Sequence, residues 1–315
     1  MEAAQFEGLL ASVADMSEVQ LDELVAAVEQ RRARTKALRL LEATRDLRRC
    51  IHCNSPVLVK NGHSQGLQRY RCRACLKTFN AASGTPLAHL RRKERFYQQG
   101  ECLAQGLTVR EAAAAMDVAV STAFRLRHRF LTAVVPHQPL HAAGLLEVDE
   151  MYIHESLKGS RHLPRKAHAR GTSQASCVPV LVGQVRGSHV VTDRLLTEMS
   201  AAQVSNALKT VVGPDTLLCT DGSATLRSAA AGLGIAAKSI AVTYDGRVQD
   251  GVYHVQTVNN YHARLKAWIN GRLRGVATKY LPNYLAWMRM WEWFKDGIKP
   301  DHFIISGLGH QLINT

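Results

Sequence analysis

The sequence predicts an α/β protein: a mixed sheet flanked by helices, preceded by a helical N-terminus and a small metal-stapled module. Three observations carry that expectation. Residues 145–153 form an apolar run with acids in its middle, the pattern of a mostly buried strand. Strand-like and helical stretches alternate behind it as far as a long helix near Thr257. Ahead of it, two Cys-x-x-Cys pairs stand in a basic segment.

Bulk composition narrows the partners. A formal net charge of +14 in 315 residues points to a polyanion. The excess is densest in residues 49–135, with 14 Lys/Arg against 4 Asp/Glu, so nucleic-acid contact is expected to begin there. No run approaches the roughly 18 apolar residues of a membrane span, and no leader pattern is present. A soluble, intracellular chain without a membrane partner is expected. Its seven cysteines suggest metal ligation plus buried thiols instead of a disulfide framework.

Residues 1–48 read as N-terminal helices. Phe6, Leu9, Leu10 and Val13 keep a helical stripe, and Ser17 three residues before Gln20 forms a capping-box pattern ahead of Leu21, Leu24, Val25 and Val28. A solvated helix is one reading of this stripe, and self-association is the other. Residues 49–90 then contain Cys50-Ile-His-Cys53 and Cys72-Arg-Ala-Cys75, separated by eighteen residues. That spacing fits a zinc ribbon, with one structural Zn²⁺ held by Cys50, Cys53, Cys72 and Cys75 on two knuckles. A redox pair is the rival reading, but no thioredoxin-like context surrounds it. Four thiolates close the site, so His52 and His63 are expected outside it. Arg69, Arg71 and Arg73, with Lys77, surround the second knuckle and are candidate phosphate contacts.

Residues 91–135 have the layout of a helix-turn-helix DNA-binding domain. Thr108 is the expected N-cap of the first helix, 116–118 the turn, and Ser121 or Thr122 the opening of the second. That geometry brings Ser121, Thr122 and Arg125 near base edges. The same helix carries Arg127, His128 and Arg129, and Arg129 is a further candidate DNA contact.

Pro136 to Pro139 marks the linker into a domain expected over 140–296. In the strand 145–153, period-2 alternation gives Glu147 and Asp149 one face and Glu150 the other. An edge strand with its acids in water is one reading. A central strand presenting a carboxylate to a divalent metal is the other. Residues 155–176 read as a basic loop, either a solvated insertion or a DNA clamp, with Arg165, Lys166 and Arg170 as candidate contacts. Strands at 178–185 and 188–196 follow, joined at Arg186-Gly187. A helix at 200–212 comes next, then a strand at 216–220 ended by Asp221-Gly222. A helix near 223–231 and a short strand at 239–242 precede the long helix. This is the element order of the ribonuclease-H-like fold. There one acid lies in the first strand, a second at the end of the fourth, and a later helix supplies a third ligand. Asp149 and Asp221 take the first two places. Trp287, Trp291 and Trp293 are expected to build core, and 297–315 to be an irregular C-terminal tail.

Several stretches recur together in one family: the paired cysteines, the two-helix segment, Glu147-Val-Asp-Glu-Met-Tyr152, Thr220-Asp-Gly222, residues 254–266 and Gly275-Val-Ala-Thr-Lys-Tyr-Leu-Pro282. Over about residues 45–295 the chain resembles the zinc-ribbon insertion-sequence transposases of bacteria related to the Merlin transposons. The resemblance implies a DDE-type transposase that binds the terminal inverted repeats of its element, cuts, and joins DNA ends to a target. It implies double-stranded DNA as partner, a homo-oligomer of at least two copies on DNA, and a nucleoid-associated cytoplasmic location. Many relatives carry Glu within His-x-x-Thr-x-Glu, where this chain has Asn259, and a Lys seven residues later, here Lys266. The third ligand implied is therefore Asn259, as in a branch of the family that uses Asn.

Asn259, His262 and Lys266 fall on one helix face. Two Mg²⁺ or Mn²⁺ ions would suit this donor set, with Asp149 bridging both, Asp221 on one and Asn259 on the other. A neutral amide holds its ion less tightly than a carboxylate, and Glu150, His262 and Glu292 are candidates to compensate. Two further readings come from other classes. One is a catalytically inactive, transposase-derived DNA-binding regulator, which Asn259 keeps open. The other is a structure-selective ribonuclease-H-like nuclease, against which the helix-turn-helix argues.

Overall fold

A computed structural model describes residues 2–160, 177–240, 252–310 and 312. The chain starts with α1 (Ala3–Ser12), which buries none of its residues, and α2 (Glu18–Thr44). Ser17 and Gln20 form the expected capping box: Ser17 N–H donates to Gln20 Oε1 at 2.9 Å, and Gln20 N–H donates back to the Ser17 hydroxyl. Phe6, Leu10, Val19 and Val25 stay exposed, while the second half of α2 buries Ala33, Ala37 and Leu41.

A small antiparallel sheet follows in the order β1 (Leu58–Ser64), β2 (Leu67–Cys72), β3 (Thr78–Phe79). Next come α3 (Glu94–Ala104), α4 (Val109–Ala115) and α5 (Val120–Val134). Thr108 caps α4 as expected, its N–H donating to Glu111 Oε2 at 2.7 Å, and Asp117 turns the chain at φ 48°. The second helix begins at Val120, one residue before Ser121.

The larger sheet contains β4 (Gly144–His154), β5 (Cys177–Val185), β6 (Val191–Leu195), β7 (Thr216–Thr220) and β8 (Ala236–Ser239) in the spatial order β6-β5-β4-β7-β8. β4 is central, antiparallel to β5 and parallel to β7. The edge-strand reading of 145–153 is thereby overturned, since both sides of the strand are paired. Leu146 and Val148 face α6 (Ala201–Leu208) and α7 (Ala224–Leu233). Met151, with Val180 and Val182, faces α8 (Gln256–Ala267) and α9 (Leu281–Trp293). The last strand runs a few residues ahead of the expected 239–242, and residues 241–251 lie outside the described part.

The tryptophan-rich helix α9 joins the two halves. Trp287 Nε1–H donates to Leu103 O at 2.9 Å, and Trp293 Nε1–H to Val191 O at 2.9 Å. Arg289 forms a fully buried ion pair with Asp193 on β6 and donates to Val135 O at 3.2 Å. Removing one member of such a pair costs roughly 3–5 kcal/mol. The core around Trp287 draws residues from α2, the 81–87 segment, α3, α5 and α9. It also takes Phe303 and Ile304, both 0% exposed, from α10 (Pro300–Gly307). Residues 297–315 are therefore not an irregular tail throughout. Pro300 opens a short helix whose apolar side completes this core. The domain limits expected at 90/91 and 296/297 run through one packed interior.

Candidate active site and nucleic-acid-facing surfaces

The carboxylates come first. β4 and β7 run parallel with Glu147 abreast of Cys219, so Asp149 and Asp221 stand two residues further on at the same level of the sheet. Gly222, at φ 97°, turns the chain immediately after Asp221, a conformation a side chain would strain. Ser223 N–H donates to Asp221 Oδ1 at 3.1 Å, leaving the residue exposed. Asp149 is mostly buried, its Oδ1 accepting from Glu150 N at 2.9 Å. Burial, then the charges of Asp221 and Glu150, push the Asp149 carboxyl up to about 7. Burial also raises Glu150, whose Oε2 is buried without a hydrogen-bond partner. Carboxylate oxygens are hard donors of the kind that bind Mg²⁺- or Mn²⁺-like cations. Among the described residues, however, only the four cysteines form a group of three or more His, Cys, Asp or Glu close enough to hold an ion by themselves.

α8 lies across the same face. His262 Nδ1 is 3.7 Å from Asp149 Oδ2, and burial, then Lys266, hold its pKa down to about 4, so the imidazole is neutral. Lys266 acts on Asp149 from one turn further along, lowering its pKa against the larger raising effects. Asn259 and Lys266 are both solvent-exposed. The face expected to unite Asn259, His262 and Lys266 thus borders Asp149 through His262 and Lys266. Asp221, Asn259 and Lys266 open to solvent, as suits a macromolecular substrate better than an enclosed small molecule. Glu292, a candidate to compensate for Asn259, is instead paired with Arg264, whose Nη2 lies 3.1 Å from Glu292 Oε2.

Glu147 has a role that the sequence left as merely supporting. It is 0% exposed. Its carboxylate accepts from Thr257 N at 2.8 Å, Thr257 Oγ1 at 2.9 Å and Val258 N at 3.2 Å. It thereby caps the N-terminus of α8 from inside the sheet. Arg186 closes the arrangement: its Nε donates to Glu147 Oε1 at 2.8 Å and its Nη2 to His254 O at 2.8 Å. One buried ion pair therefore ties the strand bearing Asp149 to the helix bearing Asn259. The signal available beforehand was an acid inside a buried strand, which demands a cation. Nothing in the sequence singled out Arg186 beyond its place in a turn.

The cysteines meet as expected. All four sulfurs lie within 4.8 Å of one another, with Cys50–Cys75 and Cys53–Cys72 each 3.6 Å apart. A tetrahedron with Zn–S bonds of ~2.3 Å has S–S edges of ~3.8 Å, so the set is sized for one metal ion such as zinc. The two knuckles match each other: Asn54 and Leu76, each following the second cysteine of its pair, turn at φ 59° and 61°. The backbone N–H of Cys75 favours the Cys72 thiolate, while burial and the neighbouring thiols push Cys53 up, so without a metal the cluster's charge settles on Cys72 first. Neither His52 nor His63 joins the cluster.

Arg69, Arg71 and Arg73 are exposed, Arg69 and Arg71 lying two apart on β2 and so on one face. On α5, Ser121, Arg125 and Arg129 are exposed and Thr122 is half-buried. Arg127 and His128 turn inward, with Arg127 1% exposed over the Trp287 ring and His128 stacked on Tyr280. Arg165, Lys166 and Arg170 lie outside the described residues. No helix of the described residues is long and apolar enough to cross a membrane.

Two comparisons bear on this arrangement. Residues 141–291, which hold the five-stranded sheet, α8 and most of α9, match the ISXO2-like transposase domain. The chain is also 27% identical over 247 residues to an uncharacterized protein in transposable element ISH50 of Halobacterium salinarum, across 75% of this chain and 82% of that protein. The segment that builds the acid-lined site is therefore similar to a transposase domain of insertion sequences, and most of the chain is similar to a protein of a transposable element.

Proposed function

We propose that this chain is a DDE-type insertion-sequence transposase that binds terminal inverted repeats and catalyses metal-dependent DNA cleavage and strand transfer. The observation that carries the reading is Asp149 on β4 and Asp221 just past the end of the parallel neighbour β7, with the Asn259–Lys266 helix held to β4 by Glu147. The spatial order of the larger sheet, with three antiparallel strands followed by two parallel ones, supports a ribonuclease-H-like catalytic domain. Asp149, Asp221 and Asn259 would hold two Mg²⁺ or Mn²⁺ ions. Bound there, the ions supply activation of an attacking oxygen and stabilisation of a leaving one. Lys266 positions a phosphate beside Asp149, and neutral His262 packs the buried side of the carboxylate. Cys50, Cys53, Cys72 and Cys75 would hold a structural zinc in a ribbon whose Arg69, Arg71 and Arg73 meet the DNA backbone. α4 and α5 form the helix-turn-helix, presenting Ser121, Thr122, Arg125 and Arg129 to the repeat. The exposed apolar stripe of α1 and early α2 supports pairing of two copies on DNA.

The test uses purified full-length protein, a labelled duplex of the element end, and Mn²⁺. Cleavage at the repeat boundary that Asp149→Ala abolishes without loss of binding is the expected result. Specific binding without cleavage in the unaltered protein would favour the regulator reading. Cleavage of branched DNA regardless of repeat sequence would favour the nuclease.

A further inference from the structure

The Gly275–Pro282 stretch, singled out in the sequence, has no part in the acid site. With the turn before it, its first two residues, Gly275 and Val276, line a cleft of 590 Å³ between the sheet domain and the start of α4. Four guanidinium groups border this cleft: Arg110 from α4, Arg127 from α5, and Arg272 and Arg274 from the turn after α8. No acid is among its lining residues. Arg272 is partly neutralised by Glu111 at 2.8 Å. Arg127 is 1% exposed, with Nη2 donating to Leu107 O at 2.6 Å, yet its Nη1 is buried without a partner. A buried guanidinium with an unused donor, beside three exposed ones, is a site short of anions.

The cleft also lies beside a 420 Å³ cavity that Lys266, of the candidate active site, borders together with Glu155 and Asn270. Gly275 and Val276 line both. The shared wall is held firm. Lys158 Nζ donates to Arg274 O at 2.6 Å, and Ser156 and Thr278 exchange hydrogen bonds, Ser156 N to Thr278 Oγ1 at 2.8 Å and Thr278 N to Ser156 O at 2.9 Å. These bonds fasten the exit of β4 to the Arg274–Thr278 turn.

We propose that this cleft is a phosphate track for one strand of DNA, carrying its backbone from the helix-turn-helix to Lys266. The inference rests on the transposase reading for its ligand. Four guanidiniums spread from α4 and α5 to the turn after α8 match an extended chain of phosphates better than a single one. The track sets the distance between the repeat that is read and the phosphate that is cut.

The experiment measures duplex affinity against salt for the full chain and for Arg110→Gln/Arg274→Gln, both exposed positions. Two lost phosphate contacts should lower the slope of log K against log salt by about 1.8, equally for repeat-bearing and random duplexes. Arg110→Lys/Arg274→Lys should restore most of the slope, and phosphate-ethylation interference should appear between the protected repeat and the cut. An unchanged slope in a Gln variant that melts like the unaltered protein overturns the track. The slope loss in a protein that fails to cut end DNA would instead strike the transposase reading and leave the track standing.

Discussion

Glu147→Gln removes one charge from a side chain of unchanged shape, so its consequences isolate the clamp. The carboxylate accepts from Arg186 and from three donors on Thr257 and Val258. A carboxamide keeps one acceptor oxygen but turns an NH₂ group towards N–H donors. Breaking a buried ion pair costs roughly 3–5 kcal/mol. The Arg186 side chain is 22% exposed, so water can repair part of its loss and about 3 kcal/mol is expected. Losing the cap adds about 1 kcal/mol, concentrated in the first turn of α8. Two assays report it. Denaturant unfolding gives the global loss, and hydrogen exchange of the Thr257 and Val258 amides gives the local one, with at least tenfold faster exchange expected. Metal-dependent cleavage should fall while repeat binding and the cysteine-bound metal persist. A variant with unchanged exchange at both amides and an unchanged unfolding midpoint would refute the clamp.

The other predictions follow from the same geometry. Because the Asp149 pKa is raised from 3.8 to about 7, the metal-free folded state binds the extra proton, and its stability falls as pH rises through that window. A divalent cation must displace the same proton, so Mn²⁺ affinity by calorimetry should rise about tenfold per pH unit below 7 and level off above it; equal affinities at pH 5.5 and 7.5 would contradict this. Cys72→Ser should release zinc, lower repeat binding at least tenfold, and spare Mn²⁺ binding; retained zinc stoichiometry would defeat the four-thiolate assignment. Asn259→Asp should tighten Mn²⁺ binding about tenfold by adding a charged ligand, checked by titration against cleavage rate. Arg125→Ala should lower discrimination between repeat and random duplex by about 1–3 kcal/mol, and equal losses on both would move Arg125 from base edge to backbone.

Much of this arrangement was legible because it rests on local chemistry. The cysteine spacing foretold the sulfur cluster, Ser17–Gln20 foretold a capping box, and Thr108 was legible as an N-cap, to which the structure adds Glu111 as the second half of a box. The elements of the larger sheet came from period and turn residues, with bounds shifted by a few positions. The parts that stayed hidden depend on distant residues. Arg186 and Glu147 are 39 positions apart, and only the pairing of β4 with β5 makes one the partner of the other. Arg127 stands in the same basic helix as Arg125 and Arg129, yet α9 covers that side of α5 and buries it. Helical spacing alone cannot say which arc of a basic helix a later segment will bury. The same holds for Pro300–Gly307, too short to read as a helix until its apolar side meets α3 and α5.

The neutral Asn259 fits the charge balance around it. Burial, and after it the charges of Asp221 and Glu150, already drives Asp149 to about 7, with Lys266 the cation that opposes the rise. A fourth carboxylate would deepen that repulsion whenever the metal is absent. In many helices an acid in the first turn also serves the positive end of the dipole. Here Glu147 performs that service from the sheet, through the N–H groups of Thr257 and Val258. The first turn of α8 therefore needs no acid of its own to be stable. In the proposed two-ion site Asn259 would offer an oxygen without charge, at the cost of a more weakly held second ion. On this argument the buried acid in β4 is what permits an amide at 259, and the Glu147→Gln and Asn259→Asp effects should be non-additive. With Glu147 neutralised, a carboxylate at 259 would supply the charge that the positive end of α8 then lacks, so its cost should shrink in the double variant.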